Sequence, residues 1–298
     1  MSKRAAHRPP AWLLYALIGT MTLLWTVNFI IAKFALNEIP PLLVMGCRTT
    51  LAGLLILPAY LASRQDVRGS WTLRNVPELL GIGALGVTAN QLFFVIGLSR
   101  TTVAHPSLII GLTPVLVLLL AWISGLETLR PAKLLGLGVA LTGVAVLQFG
   151  AVRKGEATFI GDFFVFLASV TFALFTVYTK RVAHHYGAIL INTFAYVGGA
   201  LMLAPVVLWL APDFNVVAVG WKAWASVLYM AVFPSLLCYL IYSYALRYVA
   251  ASRLSAFSYL QPLVATLLAI PMLGERPGAS VFGGGALVLT GVVLAERA

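Results

Sequence analysis

Residues 112–144, LTPVLVLLLAWISGLETLRPAKLLGLGVALTGV, return in altered form at residues 260–292, LQPLVATLLAIPMLGERPGASVFGGGALVLTGV, 148 positions further along the chain. Matching apolar residues carry little weight in so hydrophobic a sequence. Proline, glutamate and a Thr-Gly pair held in one register are rarer coincidences, and they indicate an internal repeat. The matched pairs are Pro114 with Pro262, Glu127 with Glu275, Gly136 with Gly284, and Thr142-Gly143 with Thr290-Gly291.

The register of this repeat extends over the rest of the chain. At a shift of 148, Ser107 falls on Ser255 and Leu98 on Leu246, and at a shift of 147, Trp25 falls on Phe172 and Lys33 on Lys180. We therefore predict a short tail at residues 1–10, a first repeat at residues 11–150 and a second repeat at residues 151–298.

The composition places both repeats in lipid. Hydrophobic residues make up 61% of the 298 positions, charged residues make up 10%, and the mean hydropathy is +0.96. A soluble domain of this composition would expose large apolar patches. Since a spanning helix needs about 20 apolar residues, we predict an all-α membrane protein with ten transmembrane helices. The predicted spans are residues 11–35, 40–62, 77–98, 103–125, 131–150, 160–182, 187–210, 222–246, 252–273 and 278–295.

Five spans per repeat is an odd number, so the second repeat is predicted to enter the membrane inverted relative to the first. With the N-terminus in the cytoplasm, thirteen of the twenty Lys and Arg residues fall on the inner side and six on the outer side. That bias follows the positive-inside rule, and it places both termini in the cytoplasm. The apolar run after the tail has no cleavage site, so we expect it to be retained as the first span.

Several other classes of protein are disfavoured. The net charge of +11 is scattered over short loops rather than gathered in a basic domain, so we expect no nucleic-acid partner. The four histidines include the adjacent pair His184-His185, whose side chains point about 100° apart on a helix and cannot chelate from one face. We expect no metal site and no cofactor, although a membrane-embedded enzyme stays open as a minor alternative.

Short motifs at corresponding places in the two halves carry a family resemblance. They are Trp25-Thr26-Val27-Asn28-Phe29 with Lys33, Pro41 followed by Arg48, Pro114 with Glu127, Gly161-Asp162, and Pro262 with Gly274-Glu275-Arg276. Over essentially the whole chain, these motifs resemble the EamA repeats of the drug/metabolite transporter superfamily. The resemblance implies a ten-helix carrier of the bacterial inner membrane with a central cavity, usually an exporter of amino acids or other small metabolites. It also implies that the fifth and tenth helices pack at the outside of the bundle.

The matched prolines are candidate hinges. Pro114 and Pro262 fall near the centres of their predicted spans. Each lacks the backbone N–H that would bond to the carbonyl four residues earlier in the helix, so that carbonyl is left without its helical partner. We interpret them as a pair of helix breaks that face a cavity, while a purely structural kink is the alternative. Pro234, which matches Gly86, is a candidate for a further hinge.

Arg48 is the most deeply placed charge in the sequence. Even lenient insertion scales assign about 3 kcal/mol to an arginine at the centre of a span, so this residue must face protein or water. It could bind a carboxylate or phosphate of the substrate with its two-pronged guanidinium, or it could tie helices together. The sequence leaves these two roles open. Lys33, nearer the end of its span, is expected to act as an interfacial anchor.

Uncharged polar and aromatic residues complete the candidate binding site. Asn28 shares a helix face with Trp25, three positions earlier, whereas Asn90 and Gln261 are amides deep in their spans. Such amides could also be satisfied by bonds between helices alone. Tyr259 lies close to the proline at position 262, and Tyr178 lies on the predicted partner of the first helix. The predicted substrate-binding residues are Trp25, Asn28, Arg48, Asn90, Tyr178, Tyr259 and Gln261.

All nine acidic residues fall in loops or at span ends, so the predicted interior charge is positive. A carrier of organic cations generally needs a buried carboxylate. We therefore predict a secondary transporter, an exporter of amino acids or related carboxylate or zwitterionic metabolites, which works by alternating access. Drugs, sugar derivatives and phosphorylated metabolites stay open as substrates, and a homodimer stays open as an assembly in the bilayer.

Overall fold

The computed structural model describes residues 9–63, 71–100, 106, 109–154, 158–273 and 279–298, and within these ranges it contains helices and no strands. Ser107, the motif Gly274-Glu275-Arg276 and most of the predicted tail lie outside the described residues. The helices are α1 (Ala11–Leu36), α2 (Pro41–Leu61), α3 (Leu73–Ser99), α4 (Thr113–Ile123), α5 (Pro131–Lys154), α6 (Phe159–Leu210), α7 (Trp221–Ala245), α8 (Ala251–Ala256), α9 (Leu260–Leu273) and α10 (Ala279–Arg297).

Five of the described helices, α1, α2, α3, α6 and α7, are long and apolar enough to cross a membrane. Residues 113–123, which form α4, and residues 131–147 of α5 are shorter apolar stretches. Four predicted spans, at residues 11–35, 40–62, 77–98 and 222–246, agree with α1, α2, α3 and α7 to within a few residues. The all-helical membrane fold is therefore confirmed, while the count of ten spans stays a prediction.

One predicted boundary is displaced. The spans at residues 160–182 and 187–210 were expected to be joined by a loop, but α6 continues to Tyr186 and changes direction at Gly187. Gly187 has φ 77° and ψ 164°, a backbone conformation open essentially to glycine alone. A single glycine thus makes the turn that a loop was expected to make.

Helices α3 and α7 each contain a π-helical segment at the corresponding place in the two halves. The segments are Ala84–Ala89 in α3 and Ala231–Leu237 in α7, and they contain the matched residues Gly86 and Pro234. Proline lacks the N–H group that an α-helical ladder requires. At the glycine, a Cβ would lie 2.1 Å from the ring of Phe175, so no larger residue fits there. Segments of this kind occur frequently at functional sites.

Helices α5 and α10 pack against each other through backbone contacts. A Cβ on Gly136 would lie 2.5 Å from the backbone nitrogen of Ala295, and one on Gly143 would lie 2.8 Å from the carbonyl oxygen of Gly284. Because the earlier residue of α5 meets the later residue of α10, the two helices run antiparallel. Small residues permit such close approach, which is a common way for helices to associate in lipid.

Glu127, in the connection between α4 and α5, joins the two halves of the chain. Its carboxylate accepts hydrogen bonds from Lys133 Nζ at 2.8 Å, from the backbone N–H of Ser252 at 3.0 Å and from the Ser252 hydroxyl. Ser252 lies in the first turn of α8, where backbone N–H groups have no partner within the helix. Glu127 therefore caps α8 and serves the scaffold.

Candidate functional site

The helices enclose a cavity of about 120 Å³. That volume is close to the ~150 Å³ of an engineered cavity that binds benzene, so it fits a small solute. Its wall is formed by α1, α2, α3, α4, α6, α7, α8, the turn at residues 257–259 and α9. The lining residues are Met21, Thr22, Trp25, Asn28, Phe29, Arg48, Asn90, Gln91, Phe94, Ile110, Thr113, Ala168, Ser169, Phe172, Pro234, Tyr239, Tyr242, Leu254, Ser255, Ser258 and Gln261.

Arg48 lies in this wall and is 3% exposed. Its Nε and Nη2 atoms both donate to the hydroxyl oxygen of Ser235, at 3.1 and 2.8 Å. The ion pairs formed by side chains in the described ranges, Lys133 with Glu127 and Arg253 with Glu296, lie elsewhere. A buried guanidinium held by a neutral hydroxyl, without a carboxylate, leaves its charge available to an anion.

The Ser235 hydroxyl belongs to a small polar network between four helices. It lies 3.5 Å from Gln91 Oε1, and Gln91 Nε2 donates to the Tyr196 hydroxyl at 3.0 Å. Tyr196 in turn donates to the Ser235 carbonyl at 2.7 Å. The network thus connects Arg48 on α2 with α3, α6 and the π-helical segment of α7, and it satisfies one of the carbonyls in that segment.

Aromatic side chains form another part of the wall. The Trp25 ring lies 5.8 Å from Phe172, 6.0 Å from Tyr239 and 5.6 Å from Tyr242, measured between ring centroids. Its indole N–H donates to the Pro234 carbonyl at 3.1 Å. Trp25 and Phe172, which match at a shift of 147, are therefore direct neighbours. Their ring faces could hold apolar or cationic parts of a ligand.

The amides of the wall fall into two groups. Both ends of the Asn90 amide contact protein atoms, since Nδ2 donates to Ala168 O at 2.7 Å and Oδ1 lies 3.0 Å from the Tyr239 hydroxyl oxygen. The same hydroxyl is 2.7 Å from the carbonyl of Gly86, in the π-helical segment of α3. By contrast, Asn28 is 6% exposed, and its buried Oδ1 has no hydrogen-bond partner among the described residues.

The structure brings together Trp25, Asn28, Arg48, Asn90, Pro234 and Gln261 around the cavity. It does not bring Tyr178 or Tyr259 there. Tyr178 is 44% exposed, with the Arg181 guanidinium 6.0 Å from its ring centroid. Tyr259 is buried in a core cluster with residues of α5 and α10.

Pro114 and Pro262 are buried but do not line the cavity. Pro114 lies in the first turn of α4, and Pro262 follows the 3-10 turn Phe257–Tyr259 at the start of α9. Each proline thus begins a helix after a break, instead of kinking the middle of a continuous helix. Their neighbours Thr113 and Gln261 face the cavity instead.

Sequence reasoning missed Ser235, Ser258 and Phe172 as cavity residues. The match of Phe172 with Trp25 was a usable signal, because Trp25 was already a candidate. The two serines gave no signal, since a serine in an apolar helix commonly bonds to its own backbone.

The EamA-like transporter family model matches residues 10–149 and 159–296. An Archaeoglobus fulgidus protein named "Uncharacterized transporter" is 25% identical over 290 residues, which cover 96% of this chain and 98% of the relative. A Streptantibioticus cattleyicolor protein named "Probable terminal-alkyne amino-acid exporter" is 30% identical over 225 residues, covering 75% of this chain and 74% of the relative.

Two further matches concern location and fold. An Escherichia coli protein named "Uncharacterized inner membrane transporter YedA" is 25% identical over 88% of this chain and 83% of the relative. One solved structure, described as "Crystal structure of protein", matches with a TM-score of 0.78 over 97% of this chain and 98% of that chain. Its identity is 22%, so this likeness concerns the fold alone.

Proposed function

The chain belongs to the EamA-like transporter family, and from that premise we propose that it exports amino acids or related small carboxylates across the inner membrane. The transporter class follows from the family. The substrate class rests chiefly on Arg48, a buried cation beside a small cavity that pairs with no carboxylate of the described residues. The name of the Streptantibioticus cattleyicolor relative, an amino-acid exporter, supports the same class.

A carboxylate that enters the cavity must lose its water. The Arg48 guanidinium replaces that hydration with charge-assisted hydrogen bonds, while the Trp25 and Phe172 rings contact the apolar part of the solute. The Ser235 hydroxyl is a neutral acceptor, so an anion competes with it effectively. Binding would thereby loosen the contact between α2 and the π-helical segment of α7.

The transport cycle we propose is alternating access. It requires the ten predicted spans to form two inverted five-helix repeats, at residues 11–150 and 151–298, with both termini in the cytoplasm. The antiparallel packing of α5 on α10, which occupy equivalent positions in the repeat, supports the inversion. The paired π-helical segments and the helix breaks before Pro114 and Pro262 are the proposed hinges.

Counterflow in proteoliposomes tests the substrate class. The wild type is expected to show trans-stimulated exchange of labelled small carboxylates. Arg48→Lys should raise the KM of this exchange. Arg48→Gln should abolish the exchange of carboxylates but still transport the uncharged analogue lactamide. Arg181→Gln, which removes an exposed arginine, is the matched control. A monodisperse Arg48→Gln protein with normal carboxylate exchange overturns the proposal, and a misfolded one assigns Arg48 to the scaffold.

A further inference from the structure

Two residues of the cavity wall carry a buried polar atom that has no hydrogen-bond partner among the described residues. Besides Asn28 Oδ1, the buried hydroxyl of Ser258 has no hydrogen-bond partner among the described residues. Ser258 and Gln261 both line the cavity and are three positions apart, at the turn where α8 gives way to α9. Gln261 is buried and presents its amide to the same cavity.

These atoms differ from the other polar groups around the cavity. Asn90, Gln91 and Arg48 all bond to protein atoms, as described above. A buried polar group without a partner lowers the stability of the folded protein. Unlike unpartnered groups elsewhere in the protein, those at the cavity can be satisfied by a water molecule or a ligand group that enters it.

We propose that Asn28, Ser258 and Gln261 form a second subsite, which binds an N–H or O–H donor carried by the substrate next to its carboxylate. This inference rests on the proposed function, in which Arg48 binds the carboxylate. The substrate class becomes small carboxylates with a neighbouring ammonium or hydroxyl group. Carboxylates of the same size without such a donor are transported poorly, because they leave the subsite unpaired.

The chemistry of the subsite suits both kinds of donor. The Asn28 oxygen and the Ser258 hydroxyl accept from either an ammonium or an alcohol. Trp25 lies three positions before Asn28 on the same helix face, so its ring can also contact an ammonium. Discrimination comes from the donor hydrogen itself, since a site built to bond an O–H or N–H group strongly rejects the analogue that lacks it.

The test uses three carboxylates of three carbons each: alanine with an ammonium, lactate with a hydroxyl, and propionate with neither. In counterflow with the wild-type protein, kcat/KM for alanine or lactate is expected to exceed that for propionate by about tenfold to a hundredfold. Preference for alanine identifies an ammonium subsite, and preference for lactate identifies a hydroxyl subsite.

Asn28→Leu and Ser258→Ala should each reduce this ratio towards one. Asn192→Leu is the matched control, because it removes a buried amide whose Oδ1 also lacks a partner among the described residues but which does not line the cavity. It should lower protein stability, since the Asn192 side chain bonds to Ser243, and keep the ratio. Equal wild-type transport of all three compounds, or an Asn28→Leu protein that retains the ratio, overturns the subsite while leaving the carboxylate carrier standing. Failure to transport any of the three overturns the proposed function and the subsite together.

Discussion

Lys33 and Lys180 make the same hydrogen bond in the two halves of the protein. Lys33 Nζ donates to the carbonyl of Leu98 at 2.6 Å, and Lys180 Nζ donates to the carbonyl of Leu246 at 2.6 Å. Both acceptors lie at the ends of helices, where carbonyls have no intrahelical partner. The register found in the sequence, Lys33 on Lys180 and Leu98 on Leu246, thus corresponds to a repeated contact in space, and both lysines cap helices.

Removal of either cap should destabilise the protein without altering substrate recognition. For Lys180→Met, which also loses the bond to Val249 at 2.8 Å, we expect a loss of about 1 to 2 kcal/mol, or a Tm lower by several degrees. Thermal unfolding in detergent measures the loss, and counterflow should give an unchanged KM. A raised KM at unchanged Tm would make the lysine a ligand-binding residue instead.

Glu127 should make stability depend on acid pH. Burial raises the pKa of Glu127, but hydrogen bonds from Lys133 and Ser252 and the charge of Lys133 outweigh it, so the pKa lies below its usual 4.5. A lowered pKa means that the stabilisation is complete above the unfolded value and is lost as pH falls through the folded value.

The corresponding measurement is Tm from pH 7 down to pH 3 for wild type and Glu127→Gln. The variant should be less stable at pH 7, and the difference should shrink as pH falls from about 4.5 through the lowered pKa of the folded carboxylate. A constant difference across this range would show that the charge of Glu127 does not contribute. Asp213→Asn, which alters an exposed loop carboxylate, is the control.

The site residues that the sequence predicted are those whose side chains are costly in free energy to place in a membrane helix. Arg48 and Asn28 were identifiable because charges and amides are expensive in a membrane helix, and Pro234 because it interrupts a ladder. The sequence makes Tyr259 a cavity candidate because it lies close to Pro262, but proximity along the chain does not fix the direction of a side chain. The 3-10 turn at residues 257–259 changes the angular phase, so Ser258 and Gln261 face the cavity and Tyr259 faces α5 and α10. Ser235 lies 187 positions from Arg48, and no local pattern connects them.

Pro262→Ala should slow transport while leaving binding intact. Alanine supplies an N–H that can bond to the Ser258 carbonyl, and this added hydrogen bond at the start of α9 would stiffen the break. We expect the turnover rate to fall several-fold with KM changed by less than twofold, as measured by counterflow with equal amounts of inserted protein. Pro58→Ala, which changes a proline near the end of α2, is the control. Equal rates for wild type and Pro262→Ala would reduce Pro262 to a structural role.

Ser235→Ala should tighten substrate binding and slow turnover. The Ser235 hydroxyl accepts two hydrogen bonds from Arg48, so a substrate carboxylate has to displace it. Without this competitor the guanidinium is free to bind the anion. We expect KM to fall about fivefold to tenfold, which corresponds to the net free energy of about one hydrogen bond. Tighter binding of the ground state does not accelerate the conformational step. The loss of the tie between α2 and the π-helical segment of α7 should also lower the turnover rate.

Ser243→Ala is the matched control, because it removes another buried serine hydroxyl of α7 that bonds to Asn192 and lies away from the cavity. It should lower stability without lowering KM. Counterflow at several carboxylate concentrations separates KM from turnover for both variants. A raised KM for Ser235→Ala would mean that the hydroxyl orients Arg48 for the substrate, and an unchanged KM would mean that the substrate anion binds elsewhere. Either result would contradict the proposal that the substrate carboxylate displaces the Ser235 hydroxyl from Arg48.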